Sequence, residues 1–243
     1  MKLPPDWQLT IVESNPSTPL ADLRAATEAA LAQPLQSKRL SDLARPGARV
    51  CLVFTDATRA CPDQVLVPTV LRELEAAGVR DDDIALLCAV GLHRASTRAE
   101  KIAKVGAAVV DRYRVIDHDA RVVTDLPAGQ GRLTINPLLL QSDLIIATGV
   151  VEPHQYAGYS GGGKTVVIGC GGEATIGATH APKFLDQPGV RLGRVADNPF
   201  QQLVREATRQ IGLKFVVNVV LDGDGRAVAV RAGDPFAAHD ALI

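Results

Sequence analysis

The sequence has few aromatic residues and no excess of charge of either sign. Of its 243 residues, 4% are aromatic and 22% are charged, and the formal net charge is −1. A nucleic-acid partner usually requires a basic surface, and a disordered chain has few apolar residues, whereas 47% of this chain is hydrophobic. The composition therefore excludes both classes and predicts one main globular core, because cores of this size are common.

Long apolar runs and paired cysteines are also missing. No run reaches the roughly 18 residues that a membrane helix needs, and residues 1–6 lack the apolar stretch of a signal peptide. The four cysteines contain no Cys-x-x-Cys pair, which favours reduced thiols. We therefore expect a cytoplasmic protein with no membrane partner.

Apolar runs alternate with helical patterns along the chain. Continuous apolar runs predict buried parallel strands at 50–54, 84–90, 113–116 and 143–148. Apolar spacing and capping residues predict helices at 22–31, 67–78, 96–104 and 198–211. The fold class predicted is α/β, a layered domain with a mostly parallel sheet, plus a C-terminal β-hairpin at 214–220 and 227–230 that turns at 222–225.

The domain prediction has three parts. Residues 1–45 form a proline-rich N-terminal segment around one helix, and residues 46–235 form the α/β domain. Residues 236–243 look like the first turns of a helix, which would lead to a further domain. In α/β sheets the functional loops follow the carboxyl ends of strands, where Asp56, His93 and a glycine-rich stretch after Thr148 are found.

The glycine-rich stretch contains a literal P-loop pattern. Residues 158–165, here called the glycine loop, read G-x-x-x-x-G-K-T, which in nucleoside triphosphatases cradles phosphates with backbone N–H groups. A P-loop joins a strand directly to a helix, but the predicted strand ends near Thr148, and Thr165 and its β-branched neighbours predict no helix after Lys164. Only Asp56 suits the acidic Mg²⁺ partner. A P-loop nucleotide-binding NTPase stays the alternative.

Three of the five histidines lie in polar or glycine-rich turns. Imidazole titrates near neutrality and binds borderline metals, so His93, His154 and His180 suit proton transfer or nickel binding. For any one of them alone, a surface or hydrogen-bonded histidine is the competing interpretation. His118 and His239 are interpreted in that way.

Four motifs in order, from about residue 50 onward, carry a family resemblance. They are Asp56-x-Thr58-Arg59, Gly91-Leu92-His93-Arg94, Glu152-Pro153-His154 followed by Ala157-Gly158-Tyr159-Ser160-Gly161-Gly162-x-Lys164, and His180. Together they resemble the lactate racemase family. One position departs from it, because Gly163 stands where the family usually has arginine, and this substitution creates the apparent P-loop.

The resemblance implies a cofactor and a set of roles. The cofactor would be a nickel-pincer nucleotide, a nicotinate-derived mononucleotide that holds nickel through two sulfur groups. It would be covalently attached to Lys164, with His180 as the nickel ligand and His93 and His154 as the catalytic acid–base pair. The other residues implied to contact the cofactor or substrate are Asp56, Thr58, Arg59, Ser160, Gly161 and Gly162.

The implied reaction inverts C2 of a small 2-hydroxy acid, lactate or a related acid. The C2 hydrogen is barely acidic, so hydride removal to the cofactor, with a histidine taking the hydroxyl proton, avoids a carbanion and gives a planar 2-keto acid. Arg59 would hold the carboxylate. The implied partners are the chain's own C-terminal domain, missing here, and cofactor-synthesis proteins. A non-catalytic cofactor-binding fragment is the third alternative.

Overall fold

A six-stranded sheet organises the part of the chain that the structure describes. The structure is a computed structural model that describes residues 7–10, 17–126 and 133–243. The strand order is β10-β9-β6-β1-β2-β3, parallel except for the antiparallel pair β9–β10. The strands are β1 (Val50–Thr55), β2 (Ile84–Ala89), β3 (Arg114–Asp117), β6 (Leu144–Val150), β9 (Phe215–Leu221) and β10 (Ala227–Gly233).

Two short antiparallel ladders and eleven helices complete the described ranges. The ladders pair β4 (Thr124–Asp125) with β5 (Thr134–Ile135) and β7 (Pro153–His154) with β8 (Gly158–Tyr159). The helices are α1 (Leu23–Ala32), α2 (Leu40–Leu43), α3 (Asp63–Ala76), α4 (Arg98–Val105), α5 (Ala107–Arg112), α6 (Pro137–Leu140), α7 (Lys164–Val167), α8 (Glu173–His180), α9 (Pro182–Leu185), α10 (Pro199–Ile211) and α11 (Pro235–Asp240).

The sheet is covered by helices on both faces, because side chains of a strand alternate between faces. In β1, Leu52 and Phe54 pack in one apolar cluster with α1 and α3. The residues between them, Cys51 and Val53, pack in a second cluster with α7 and α10. The continuous apolar run of β1 is therefore buried on both sides, as parallel strands usually are.

The predicted fold class is confirmed. Each predicted strand and helix is present with bounds shifted by a few residues, and the C-terminal hairpin turns where the sequence predicts. All four cysteines are free and buried. Over the described ranges, no helix has the length and apolar character needed to cross a membrane. The three-part domain division stays a prediction, and residues 1–6 and 11–16 of its N-terminal segment lie outside the described residues.

One local prediction is wrong: a helix does begin at Lys164. Helix α7 includes the last two residues of the glycine loop, Lys164 and Thr165, and is four residues long. The low helix propensity of β-branched residues amounts to less than about 1 kcal/mol each, whereas burying an aliphatic side chain contributes about 1.5–3 kcal/mol. Val166 and Val167 are both buried in the core, so tertiary packing outweighs their local preference.

Candidate functional site

A cavity of about 240 Å³ opens at the carboxyl ends of β1, β2 and β6. From β1 the chain crosses to β2, and from β6 it crosses to β9 on the opposite side, so the cavity lies at the point where the strand order reverses. Eight of the ten predicted site residues line it: Asp56, Arg59, His93, His154, Ser160, Gly161, Lys164 and His180. The other two do not line the cavity: the Thr58 hydroxyl donates a hydrogen bond to Asp56, and the Gly162 amide donates one to Asn218.

Asp56 and His93 form a hydrogen-bonded pair at the mouth of this cavity. The Asp56 Oδ2 to His93 Nδ1 distance is 2.5 Å, and Asp56 Oδ1 accepts from the Thr58 hydroxyl at 2.7 Å and the Thr58 amide at 3.2 Å. The carboxylate is buried, whereas the His93 side chain is 51% exposed. Both carboxylate oxygens are thus engaged by the protein, and Asp56 orients the imidazole.

His154 lies in the short β7–β8 ladder and has a different set of partners. Its Nδ1 accepts hydrogen bonds from the backbone amides of Tyr156 and Ala157, each at 3.2 Å. Burial, the largest cause, and the positive charges of Lys164 and Arg59 lower the pKa of His154 to about 4. His154 is therefore neutral at physiological pH.

His180 ends helix α8 with its Nδ1 directed back at the helix. The Nδ1 atom lies 2.9 Å from the carbonyl oxygen of Ile176, to which it donates. Tyr156 and Phe200 pack edge-on against the ring, with centroids 6.1 and 5.4 Å away. Within the described residues, no three His, Cys, Asp or Glu side chains come together as a metal cluster. In the described part of the chain, His180 therefore does not belong to a ready-made set of three such ligands.

Lys164 projects from the start of α7 into the same cavity. Burial, the largest cause, and the charge of Arg59 together lower the pKa of its amine to about 8, while Glu152 acts in the opposite direction. A lysine with such a pKa has an appreciable neutral, nucleophilic fraction at physiological pH. The site therefore contains one amine suited to covalent attachment.

Three backbone amides of the glycine loop are hydrogen-bonded within the protein. The amide of Ser160 donates to the Glu152 carbonyl at 2.9 Å, and the amide of Lys164 donates to the Gly161 carbonyl at 3.2 Å. A third amide, that of Gly162, donates to Asn218 Oδ1 at 2.7 Å. A P-loop instead directs its amides at bound phosphates. Because β6 ends at Val150 and the separate β7–β8 ladder comes next, no described strand of the six-stranded sheet leads directly into this loop, as a P-loop requires.

Two residues that the sequence analysis did not select hold this loop. Asn218 lies in the middle of β9 and is fully buried. His239, from α11, is buried too, and its Nε2 donates to the Ser160 carbonyl at 2.9 Å. Asn218 is the one polar residue in the apolar run 215–221, and this position could have predicted a buried, hydrogen-bonded side chain. For His239, interpreted above as an ordinary surface or hydrogen-bonded histidine, no local pattern distinguishes it.

A buried ion pair supports the loop that carries Asp56 and Arg59. Lys104 Nζ lies 3.0 Å from Asp63 Oδ2 and donates to the carbonyl oxygens of Arg59 at 3.1 Å and Cys61 at 2.9 Å. The Asp63 side chain is fully buried and that of Lys104 is 10% exposed. Because both charges are paired and hydrogen-bonded, the pair fixes the path of the loop.

Gly163 fits tightly against helix α10. A Cβ atom added to it would lie 1.8 Å from the Oγ1 of Thr208, which is buried. A side chain here requires Thr208 to move or to be smaller. With Thr208 in its present place, the structure has no room at position 163 for the arginine that the family resemblance implies.

The fold and the cavity define a three-layer α/β domain whose site lies where the order of parallel strands reverses. A family model described as the lactate racemase N-terminal domain matches residues 1–193. The lactate racemase of Thermoanaerobacterium thermosaccharolyticum is 34% identical over 216 residues, covering 86% of this chain and 50% of its own. That of Lactiplantibacillus plantarum is 35% identical over 218 residues, covering 87% and 51%.

Solved structures agree with this match. The lactate racemase apoprotein of T. thermosaccharolyticum has a TM-score of 0.82 at 32% identity, over 90% of this chain and 53% of its own. A Thermotoga maritima protein shares the fold, with a TM-score of 0.71 at 20% identity, over 95% of this chain and 59% of its own. The chain belongs to the lactate racemase N-terminal domain family, and it spans about half the length of the curated relatives it matches.

Proposed function

We propose that this chain is the cofactor-carrying part of a racemase or epimerase that inverts C2 of a small 2-hydroxy acid. The observation that carries the proposal is the meeting, in one cavity, of Lys164, His180 and the Asp56–His93 pair. These supply an amine for attachment, a nitrogen ligand and a proton acceptor. The 2-hydroxy acid is the proposed substrate. The proposed partner is a domain that corresponds to the second half of the longer relatives.

The residues present fit a nickel-pincer nucleotide. The Lys164 amine, with its lowered pKa, suits covalent attachment to the cofactor. His180 donates from Nδ1 to the carbonyl of Ile176, which leaves the Nε2 lone pair available to nickel, and such an outer hydrogen bond is usual for metal-bound histidine. When bound, the cofactor would supply the hydride acceptor of the reaction. Its synthesis would require partner proteins that make and load it.

The chain's own side chains would bind the substrate and move its hydroxyl proton. Arg59 lines the cavity and offers a forked set of donors to a carboxylate. His93 would take the hydroxyl proton at Nε2, and Asp56 would stabilise the imidazolium so formed, as carboxylates do beside catalytic histidines. His154 lines the same cavity and would be the second acid–base group, which exchanges the hydroxyl proton of the opposite enantiomer.

The two alternatives differ in what the structure offers them. A P-loop NTPase is disfavoured, because the amides of Ser160, Gly162 and Lys164 already have protein acceptors. A non-catalytic cofactor-binding fragment would use Lys164 and His180 in the same way but would not catalyse the reaction. Activity measured with and without the second half of the protein distinguishes the fragment from the enzyme.

Intact mass spectrometry tests cofactor attachment. The chain is produced with and without cofactor-synthesis proteins, and we expect added mass only in their presence. Lys164→Ala should abolish the adduct, whereas Lys183→Ala, which changes an exposed lysine of α9, should retain it. An adduct that survives Lys164→Ala would refute the assignment. Tight binding of Mg-ATP that is lost in the same variant would favour the NTPase.

A further inference from the structure

Helix α11 packs against the glycine loop and is itself fixed near both of its ends. Asp234 caps its start, where the carboxylate Oδ1 accepts from the backbone amide of Phe236 at 2.9 Å. At its end, Asp240 forms an ion pair with Arg205 of α10. The guanidinium carbons of Arg205 and Arg209 lie over the Phe236 ring, 5.6 and 4.9 Å from its centroid. The helix therefore offers the glycine loop a firm support.

His239 is the residue of α11 that reaches the glycine loop. Its side chain is 4% exposed, and its Nε2 lies 2.9 Å from the Ser160 carbonyl oxygen. Because a carbonyl only accepts, Nε2 carries the proton. The ring also packs on Gly162, where an added Cβ atom would lie 3.0 Å from the His239 Cγ and Cδ2 atoms. Among the described residues, His239 lies behind the cavity lining and not in it.

Ser160 connects this contact to the cavity, which it lines. Its hydroxyl donates to the Val150 carbonyl at 2.7 Å, and its own carbonyl accepts from His239. The next two residues are glycines with positive φ angles of 76° and 53°. Glycine adopts many other conformations as readily, so these two residues do not fix the path of the loop by themselves. The contacts on either side of them must do so before α7 begins at Lys164.

We propose that His239 is a positioning residue, which holds Ser160 and the two glycines so that Lys164 enters the cavity in a buried position. This rests on the proposed function, in which Lys164 is the attachment amine. Without the His239 N–H, the buried Ser160 carbonyl would lose its donor, which is costly unless the loop moves or water enters. Either change hydrates the Lys164 amine. Its pKa should then rise, because burial is the main cause of its lowering.

The first test separates the hydrogen bond of His239 from the volume of its ring, and it needs no cofactor. His239→Phe keeps a ring but loses the N–H, whereas His239→Gln can place an N–H near the position of Nε2. Pulse acylation of the 243-residue chain at a series of pH values gives the midpoint for Lys164. We expect about 8 in the wild type and in His239→Gln. His239→Phe should raise it by about one pH unit, a roughly tenfold loss of neutral amine at pH 7.

His118→Phe is the matched control for this test. His118 is also buried, and its Nε2 donates to a backbone carbonyl, that of Gly171, at the same distance of 2.9 Å. It does not contact the glycine loop through this bond, so its loss should leave the midpoint near 8. Circular dichroism shows whether each variant folds. If His239→Phe does not fold, His239→Asn, which is too short to reach Ser160, takes its place.

Three results would overturn the proposal: an unchanged midpoint in the variant without the donor, equal shifts in His239→Phe and His118→Phe, or a midpoint in His239→Gln as high as in His239→Phe.

The second test measures attachment by intact mass, with the chain produced together with cofactor-synthesis proteins. The fraction that carries the adduct should fall severalfold in His239→Phe and stay near the wild-type fraction in His239→Gln. An undiminished fraction in His239→Phe would count against the role of His239. Absence of any adduct in the wild type would overturn the proposed function, and the midpoints of the cofactor-free chain would still decide whether His239 positions Lys164.

Discussion

The pKa of Lys164 allows a sharp test of the site without any cofactor. Burial and the charge of Arg59 lower it from 10.5 to about 8. At pH 7 an amine with a pKa of about 8 is ~10% neutral, against ~0.03% for an ordinary lysine. Because only the neutral amine is nucleophilic, Lys164 should react with an acylating reagent up to about 300-fold faster at that pH than its ordinary pKa would allow.

Pulse labelling at a series of pH values, read by peptide mass spectrometry, gives the midpoint for Lys164. We expect a midpoint near 8. Arg59→Gln should raise it while leaving it below 10.5, because burial is the larger cause and Arg59 the second. Arg226→Gln, in the exposed hairpin turn, is the matched control and should not move it. A wild-type midpoint near 10.5, or equal shifts in both variants, would refute this account of the site.

Three further predictions concern stability, measured by urea unfolding. Lys164→Met should raise the free energy of unfolding below pH 8 by up to about 3 kcal/mol, the equivalent of the difference between 10.5 and about 8. Between pH 8 and pH 10.5 the unfolded chain binds more protons than the folded chain, so the free energy of unfolding of the wild type rises with pH. The advantage of Lys164→Met should therefore disappear over this range, and an advantage that does not change with pH would contradict this account. Lys104→Met strands a buried carboxylate and should lower stability by about 3–5 kcal/mol, whereas Arg80→Met, in an exposed pair, should change it by less than about 1 kcal/mol. Gly163→Ala should destabilise by about 1–3 kcal/mol through its clash with Thr208, and combining it with Thr208→Ala should restore part of the loss; simple additivity would exclude the clash.

The sheet could be predicted because its signal is local. Val50–Thr55 is apolar at every position, and such a run bounded by polar residues is typical of a strand buried on both faces. The same runs placed Asp56 and His93 after strand ends, which is why the predicted residues meet at one edge of the sheet. Helix α7 was missed because its stability comes from burying Val166 and Val167, which local propensity does not describe.

The partners of the site residues required the fold. Asp56 was assigned to the cofactor pocket as part of a motif, and only the structure places its carboxylate on His93. His93 and His154 looked equivalent in sequence, since each follows a polar turn. The difference between them lies in whether Nδ1 meets a carboxylate or two amides, and backbone amides leave no mark in a sequence.

The contacts of Asn218 and His239 with the glycine loop bear on where this domain can be cut. The family match ends at residue 193, before either residue. A fragment that stops there would keep all ten candidate residues, yet the Gly162 amide and the Ser160 carbonyl would lose their partners. The end of the family-model match therefore differs from the end of the segment that the site needs for these two contacts. The shortest piece that can hold Lys164 in its observed setting extends at least to residue 239.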